Sequence, residues 1–320
     1  MLFTLVRSAS IAYRGGMSTP STAITHSRRG ILTVLLGALF FSVSAIVIKL
    51  AAVEPITTAT LRCAIAVPLL ALLALREKSS HGALSGRNIW WSIAAGIALG
   101  IDYAAWTASI FKVGAGVSTV LLNFQVIVLP LLAWMFDKEP VSRRFKLAAP
   151  VMLLGIGMLG GLWGSSELGP EVLTGTALAL LAGVGYGIYM FITRRTTRSG
   201  SSNIIQQLAW ATASAGATTA VVGLFFGGLQ FAEITPQAWA LLIALAVVGQ
   251  VIAWLLVHHG SANLSPSTTA SLLLAQPVFA LIIAAIVLAE RPTAIQLLGA
   301  GLVVLAVAAS HGLLSRRSDA

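Results

Sequence analysis

Leu121-Leu122-Asn123-Phe124-Gln125 and Leu272-Leu273-Leu274-Ala275-Gln276 repeat one pattern 151 positions apart. The same offset pairs Glu139 with Glu290. Upstream, Asp102-Tyr103-Ala104-Ala105-Trp106 resembles Gln250-Val251-Ile252-Ala253-Trp254 at an offset of 148. Chain order is kept, and the two offsets differ by about one helical turn. Self-similarity of this kind points to a duplicated unit.

Each copy lies in long apolar runs. About 20 apolar residues cross a bilayer as a helix, and ten stretches approach that length. They are Ile31–Ala51, Ile56–Leu75, Ile89–Ile110, Val117–Phe136, Leu147–Trp163, Thr174–Phe191, Ile204–Phe226, Ala238–Val257, Ser267–Leu288 and Ala294–Leu313. A backbone in lipid must satisfy its own hydrogen bonds, so helices are expected. A barrel would show short alternating segments, whereas Leu241–Val248 is apolar throughout. The expected fold is an all-α integral membrane protein of ten transmembrane helices, built as two inverted five-helix repeats. Five is odd, so the second copy enters the membrane from the opposite side. Such inverted repeats place a substrate site near the midplane, between the halves. Asp102 and Gln250 fall at matching depths in oppositely directed spans.

Composition agrees. The 320 residues are 57% hydrophobic and 9% charged, against about 25% charged in soluble domains. Mean hydropathy is +0.91. Disorder, collagen-like and disulfide-scaffold classes are excluded, and Cys63 has no partner for an internal disulfide. A net charge of +10 would suggest nucleic acid in a soluble protein. Here the cations bunch between apolar runs and act as an orientation signal, helped by anionic membrane lipid. With the N-terminus in the cytoplasm, 16 of the 20 Lys and Arg fall on the inner side. Only Lys49, Lys112 and Arg291 fall outside, and Arg62 lies within the second span. Both termini are therefore expected in the cytoplasm, and the protein in the cytoplasmic (inner) membrane, with no nucleic-acid partner. The expected organisation is a mobile cytoplasmic tail over 1–29, a first repeat over 30–163, an external linker over 164–173, a second repeat over 174–313 and a tail over 314–320. Met17 is an alternative start.

Ten spans, a five-plus-five repeat, and Glu139 and Glu290 closing the fourth and ninth spans resemble the drug/metabolite transporter superfamily, EamA type. The matching stretches are Gly114–Glu139, Leu173–Met190 with Gly183-Val184-Gly185-Tyr186, and Leu264–Gly301 with Gln276-Pro277 and Glu290-Arg291-Pro292. The first half departs from the common Gly-Glu pair, having Asp137-Lys138-Glu139. The resemblance implies transport of small polar metabolites, often efflux of amino acids or related compounds, without ATP hydrolysis.

Asp102 is the one acid well inside a predicted span. An Asp at a helix centre costs about 2.5–3.5 kcal/mol on insertion scales, and such residues mark pathways. Asp102 and Trp106 share a helix face at i and i+4. Asp102 is expected to bind a cationic group or carry a coupling proton; the alternative is a neutral Asp bonded to a neighbouring helix. Gln250 with Trp254, and the pair Gln125 and Gln276, are candidate substrate ligands or helix glue. Tyr186 can stack on a ligand. The candidate substrate-binding set is thus Asp102, Trp106, Gln125, Tyr186, Gln250, Trp254 and Gln276. Arg62 is expected to snorkel towards the outer surface, with binding of a substrate carboxylate as the alternative. Pro130 and Pro277 are candidates to break helices beside the site, with a simple kink, which membrane helices tolerate, as the alternative. Trp90, Trp91 and Trp163 read as interface anchors.

Other motifs do not carry chemistry. Gly155-Ile156-Gly157-Met158-Leu159-Gly160 spells a dinucleotide fingerprint but lies within an apolar span, where it suits close helix packing. Adjacent His258 and His259 do not form the i, i+4 pair of a zinc helix. The chain shows no P-loop, and no cofactor or metal is expected. The reading is a secondary transporter, not an enzyme. An enzyme needs a convergent catalytic set, and a channel needs a pore-lining ring. A membrane receptor or scaffold without transport activity is the alternative.

Overall fold

A computed structural model of the chain describes residues 28–159, 169–198, 203–232, 234–261 and 272–310, with Leu264 and Thr269. Every secondary element among them is helical. In chain order they are α1 (Arg28–Ala51), α2 (Pro55–His81), α3 (Gly86–Val113), α4 (Ala115–Leu121), a 3₁₀ turn (Leu122–Phe124), α5 (Gln125–Asp137) and α6 (Arg143–Leu159). Then follow α7 (Pro170–Arg198), α8 (Ile204–Phe225), α9 (Pro236–Ala244), a π-helical turn (Leu245–Ile252), α10 (Ala253–Ser261), α11 (Ala275–Val287) and α12 (Ala294–Ser310).

Local chemistry sets several helix ends. Pro55 opens α2, and the Glu54 carboxylate accepts from Ile56 N at 2.9 Å and Thr57 N at 2.6 Å, satisfying orphan donors of the first turn. Ser85 and Thr235 cap α3 and α9 in the same way. The turn from α3 into α4 needs a left-handed residue, and Gly114 supplies it at φ +88°.

Seven helical stretches are long and apolar enough to cross a membrane, counting Ala115–Asp137 and Pro236–Ser261 as one each. The fifth, ninth and tenth expected spans appear as helices of 17, 13 and 17 residues. Leu159 and Ser310 are also the last described residues of their segments, so the fifth and tenth helices are followed over 17 residues each. Much of the start of the ninth span lies outside the described residues, so ten crossings are not established. Within the expected linker 164–173, α7 begins at Pro170. The tails before Arg28 and after Ser310, residues 164–168 of the linker, and Trp163 lie outside the described residues.

Two equivalent pairs, α2 with α8 and α6 with α12, pack directly on each other and run in opposite directions. Glu77, near the end of α2, accepts from Ile205 N and Gln206 N at the start of α8. Thr60, near the start of α2, bonds Thr219, near the end of α8, at 3.0 Å. Gly155 of α6 packs on Gly299 and Val303 of α12, as the packing reading of that glycine motif expects. The third and eighth segments fill the centre: α3 lies against α7 and α8, while the α9–α10 segment lies against α1 and α2. Gly96 and Gly100 bring α3 onto Ala211 and Ala215 of α8, the small-residue contact by which helices associate in lipid. Trp90 and Trp91 are exposed at the start of α3.

Candidate functional site

The central helices leave a cavity of about 40 Å³ between the two halves. The first half contributes Phe41 and Ser44 from α1, Arg62 from α2, and Asp102, Tyr103 and Trp106 from α3. Leu122, at the 3₁₀ turn, adds an apolar wall. The second half contributes Tyr186 from α7, Trp254 from α10 and Gln276 from α11.

Backbone irregularities surround this space. The fourth segment is interrupted at Leu122–Phe124 and the ninth at Leu274, positions related by nearly the repeat offset. The eighth segment widens into a π turn that carries Gln250; such turns recur at functional sites. Pro277 sits just after the break at Leu274, as its missing N–H and ring predict. Pro130 does not break its helix: α5 runs through it, and the interruption falls upstream.

Gly185 sets the distance between α7 and α3 at the site. A Cβ there would stand 2.7 Å from Ala98 O and 3.1 Å from Asp102 N. Without a side chain, α7 closes onto α3 beside Asp102 and brings Tyr186 to the cavity.

Arg62 corrects the snorkelling expectation. It is 2% exposed and turns into the bundle. Its Nη2 donates to Gln250 Oε1 at 3.0 Å, and its guanidinium lies 4.2 Å from the Tyr103 ring centroid. Tyr103 donates its hydroxyl to the same Gln250 oxygen at 2.7 Å, and Gln250 Nε2 donates to Thr212 at 3.2 Å. One buried amide thus ties α2, α3 and α8 to the π turn. The physical reason for the inward turn is the set of partners: stacking and a charge-assisted bond offset part of the desolvation cost.

Several side chains that line the cavity carry buried polar atoms without a partner. Arg62 Nε and Nη1, Trp106 Nε1, Trp254 Nε1 and Asp102 Oδ1 are buried with no hydrogen-bond partner among the described residues. Asp102 is 3% exposed and makes no ion pair within 4.0 Å with Arg62 or any other described cation. Buried polar groups are nearly always paired, so five unpaired atoms on neighbouring side chains set this region apart from the rest of the described interior. An aromatic frame holds it. Trp254 meets Phe41 edge-on at 5.3 Å and Tyr189 at 5.6 Å, while Tyr186 and Tyr189 stack at 6.1 Å.

Of the seven residues expected from sequence, Asp102, Trp106, Tyr186, Trp254 and Gln276 line the cavity. Gln250 lies behind it, where it holds Arg62 and Tyr103. Gln125 opens α5 and is not among the lining residues. The 3₁₀ turn before it advances by about 120° per residue rather than about 100°, which rotates Gln125 out of the register a continuous helix would have. Sequence reasoning missed Phe41, Ser44, Tyr103 and Leu122. No group of three or more metal-ligating side chains occurs among the described residues.

At the end of the bundle where α3 meets α4, Glu290 reaches across from the α11–α12 connection. Its carboxylate accepts from Ala115 N at 2.7 Å and Gly116 N at 3.2 Å. Glu139, its counterpart by the repeat offset, receives two bonds from Arg194 Nη2, at 2.9 and 3.2 Å. Each glutamate fastens one half to the other.

The EamA-like transporter family matches the chain over residues 28–161 and again over 173–310. No curated protein matches. A solved structure, described only as "Crystal structure of protein", shares the fold at 17% identity with a TM-score of 0.61, over 91% of this chain and 99% of its own. With both halves matched, the chain belongs to the EamA-like transporter family, and it is a multi-pass membrane protein.

Proposed function

We propose that this member of the EamA-like transporter family is a secondary carrier that exports a small polar metabolite, an amino acid or a related compound, by alternating access. The observation that carries the proposal is the cavity itself. Both halves line it, and its lining includes Arg62, Asp102 and two tryptophans that carry buried polar atoms with no described partner. Its volume of about 40 Å³ has room for a few waters. Pockets that bury small molecules run to roughly 300–1,000 Å³. A metabolite therefore enters only when the halves part, and the glutamate contacts at Ala115 and Arg194 are fastenings that open in turn.

The ten-span inverted architecture is part of this proposal, and the antiparallel packing of α2 on α8 and of α6 on α12 supports it. So are cytoplasmic placement of both termini, residence in the cytoplasmic membrane and use of a proton by Asp102. Purified protein in liposomes tests the function. Saturable, substrate-selective flux is expected, while a folded protein that moves no compound of the class returns the receptor or scaffold reading.

A further inference from the structure

Glu139 and Glu290 stand on the same local structure. Each follows a residue in the left-handed conformation, Lys138 at φ +56° and Ala289 at φ +52°. Each backbone N–H returns to a carbonyl six residues back, Glu139 N to Ala133 O at 3.2 Å and Glu290 N to Ala284 O at 3.3 Å. All three positions keep the 151-residue offset. Yet the two carboxylates hold different partners, a guanidinium at one end of the bundle and two backbone N–H groups at the other. Because the copies are one unit inserted in opposite directions, exchanging their contacts gives a state of comparable energy with the access side reversed.

The register of α1 on α7 shows which cation would serve Glu290 in that state. Gly30 of α1 packs on Gly260 of α10, and Gly175 of α7 packs on Lys112 of α3. Lys112 and Gly260 are 148 positions apart, the offset of the third and eighth segments, so Gly30 and Gly175 are equivalent at an offset of 145. The same offset pairs Phe41 with Tyr186, and both line the cavity. It also pairs Lys49 with Arg194. Lys49 is therefore to Glu290 what Arg194 is to Glu139.

Lys49 and Glu290 make no ion pair with each other in this structure. Lys49 Nζ donates to Ile110 O, in the last turn of α3, at 3.2 Å and lies 5.2 Å from the Phe111 ring centroid. Gly114 N donates to the same oxygen at 3.1 Å, and Ala115 N, next along the chain, donates to Glu290 at 2.7 Å. The ammonium and the carboxylate thus rest on two sides of one turn. Each is held by a backbone group that the other can replace: Lys49 by a helix-end carbonyl, Glu290 by the first N–H groups of α4. Ile110 O keeps its bond from Gly114 when Lys49 leaves.

We infer that Glu290 changes partner during the cycle. It leaves Ala115 and Gly116 and pairs with Lys49 as Arg194 releases Glu139, so that the pairs Arg194–Glu139 and Lys49–Glu290 alternate and are never formed together. The exchange rests on the alternating-access reading.

The test uses the full chain in lipid nanodiscs and a water-soluble carbodiimide, which joins a lysine amine to a carboxylate that it touches. The amide is permanent, so even a minor state accumulates. Coupling is continued until the Lys112–Glu171 pair, in contact at 3.0 Å, has formed its amide, read by peptide mass spectrometry. A Lys49–Glu290 amide is expected beside it in the wild-type protein. Its absence overturns the inference, and this arm does not depend on any variant folding. In Arg194→Lys, shown by thermal unfolding to be folded, Glu139 can also couple to its partner. The occupancies of the two amides are then expected to total no more than one per molecule, because closing one end forbids the other. Both going to completion overturns the alternation. Amino-acid flux in liposomes is read separately. Mutually exclusive amides without flux leave the exchange standing and the carrier reading fallen; flux without the Lys49–Glu290 amide does the reverse.

Discussion

Arg62 and Tyr103 donate to the same oxygen, Oε1 of Gln250, at 3.0 and 2.7 Å. The two side chains also stack, so a cation from α2 and a phenol from α3 are held as one unit by an amide in the π turn. Three helical segments that belong to both halves therefore meet at one buried atom. This places a buried polar centre between the two halves.

Gln250→Leu removes that acceptor and leaves two buried donors unpaired. Each such donor costs about 1–3 kcal/mol, so a loss of about 2–6 kcal/mol is expected. Chemical unfolding in detergent measures it. A Gln250→Glu protein keeps an acceptor for both donors and is expected to unfold later than Gln250→Leu.

Glu290→Ala leaves Ala115 N and Gly116 N without their carboxylate. Helix caps are worth about 1–2 kcal/mol, and a loss of that size is expected in the same unfolding measurement. Gly114→Ala is expected to cost at least as much, for two reasons. Its φ of +88° is strained for alanine, and the new Cβ would meet the Glu290 carboxylate at 2.8 Å.

Gly185→Leu pushes α7 away from α3 beside Asp102. Overpacking of this kind costs about 1–3 kcal/mol, a cost that a folded membrane protein can survive. The expected outcome is a protein that reaches the membrane in normal amount but has lost flux, read by immunoblot and liposome assay on the same preparation.

Asp102→Asn removes the one cavity acid while keeping its shape. If Asp102 carries a coupling proton, an imposed proton gradient drives wild-type flux, and the variant exchanges substrate without responding to the gradient. Identical pH profiles for the two proteins end the proton assignment.

Part of this site is legible in the sequence, and the reason is the duplication. Asp102 with Trp106 and Gln250 with Trp254 stand out because each pair shares a helix face and the pairs repeat. Arg62 does not. A lone arginine about seven residues into an apolar run has the same signature whether it reaches for the surface or turns inward. Only the presence of Tyr103 and Gln250 on other helices decides. Tyr103 is adjacent to Asp102 and therefore about 100° round the helix, so an argument from one helix face passes over it. Phe41 and Ser44 belong to a segment with no repeated signal at all. Gln125 fails for a backbone reason, the tight turn at Leu122–Phe124, which no side-chain pattern announces.

Counterflow in liposomes loaded with amino acids is the most direct measurement of the central claim, that the cavity between the halves is the transport site. Saturable exchange is predicted, accelerated by the same amino acid on the opposite side and lost in Trp106→Ala and Trp254→Ala proteins that remain folded. Flux that rises linearly with concentration, or saturable exchange untouched by both substitutions, would contradict it.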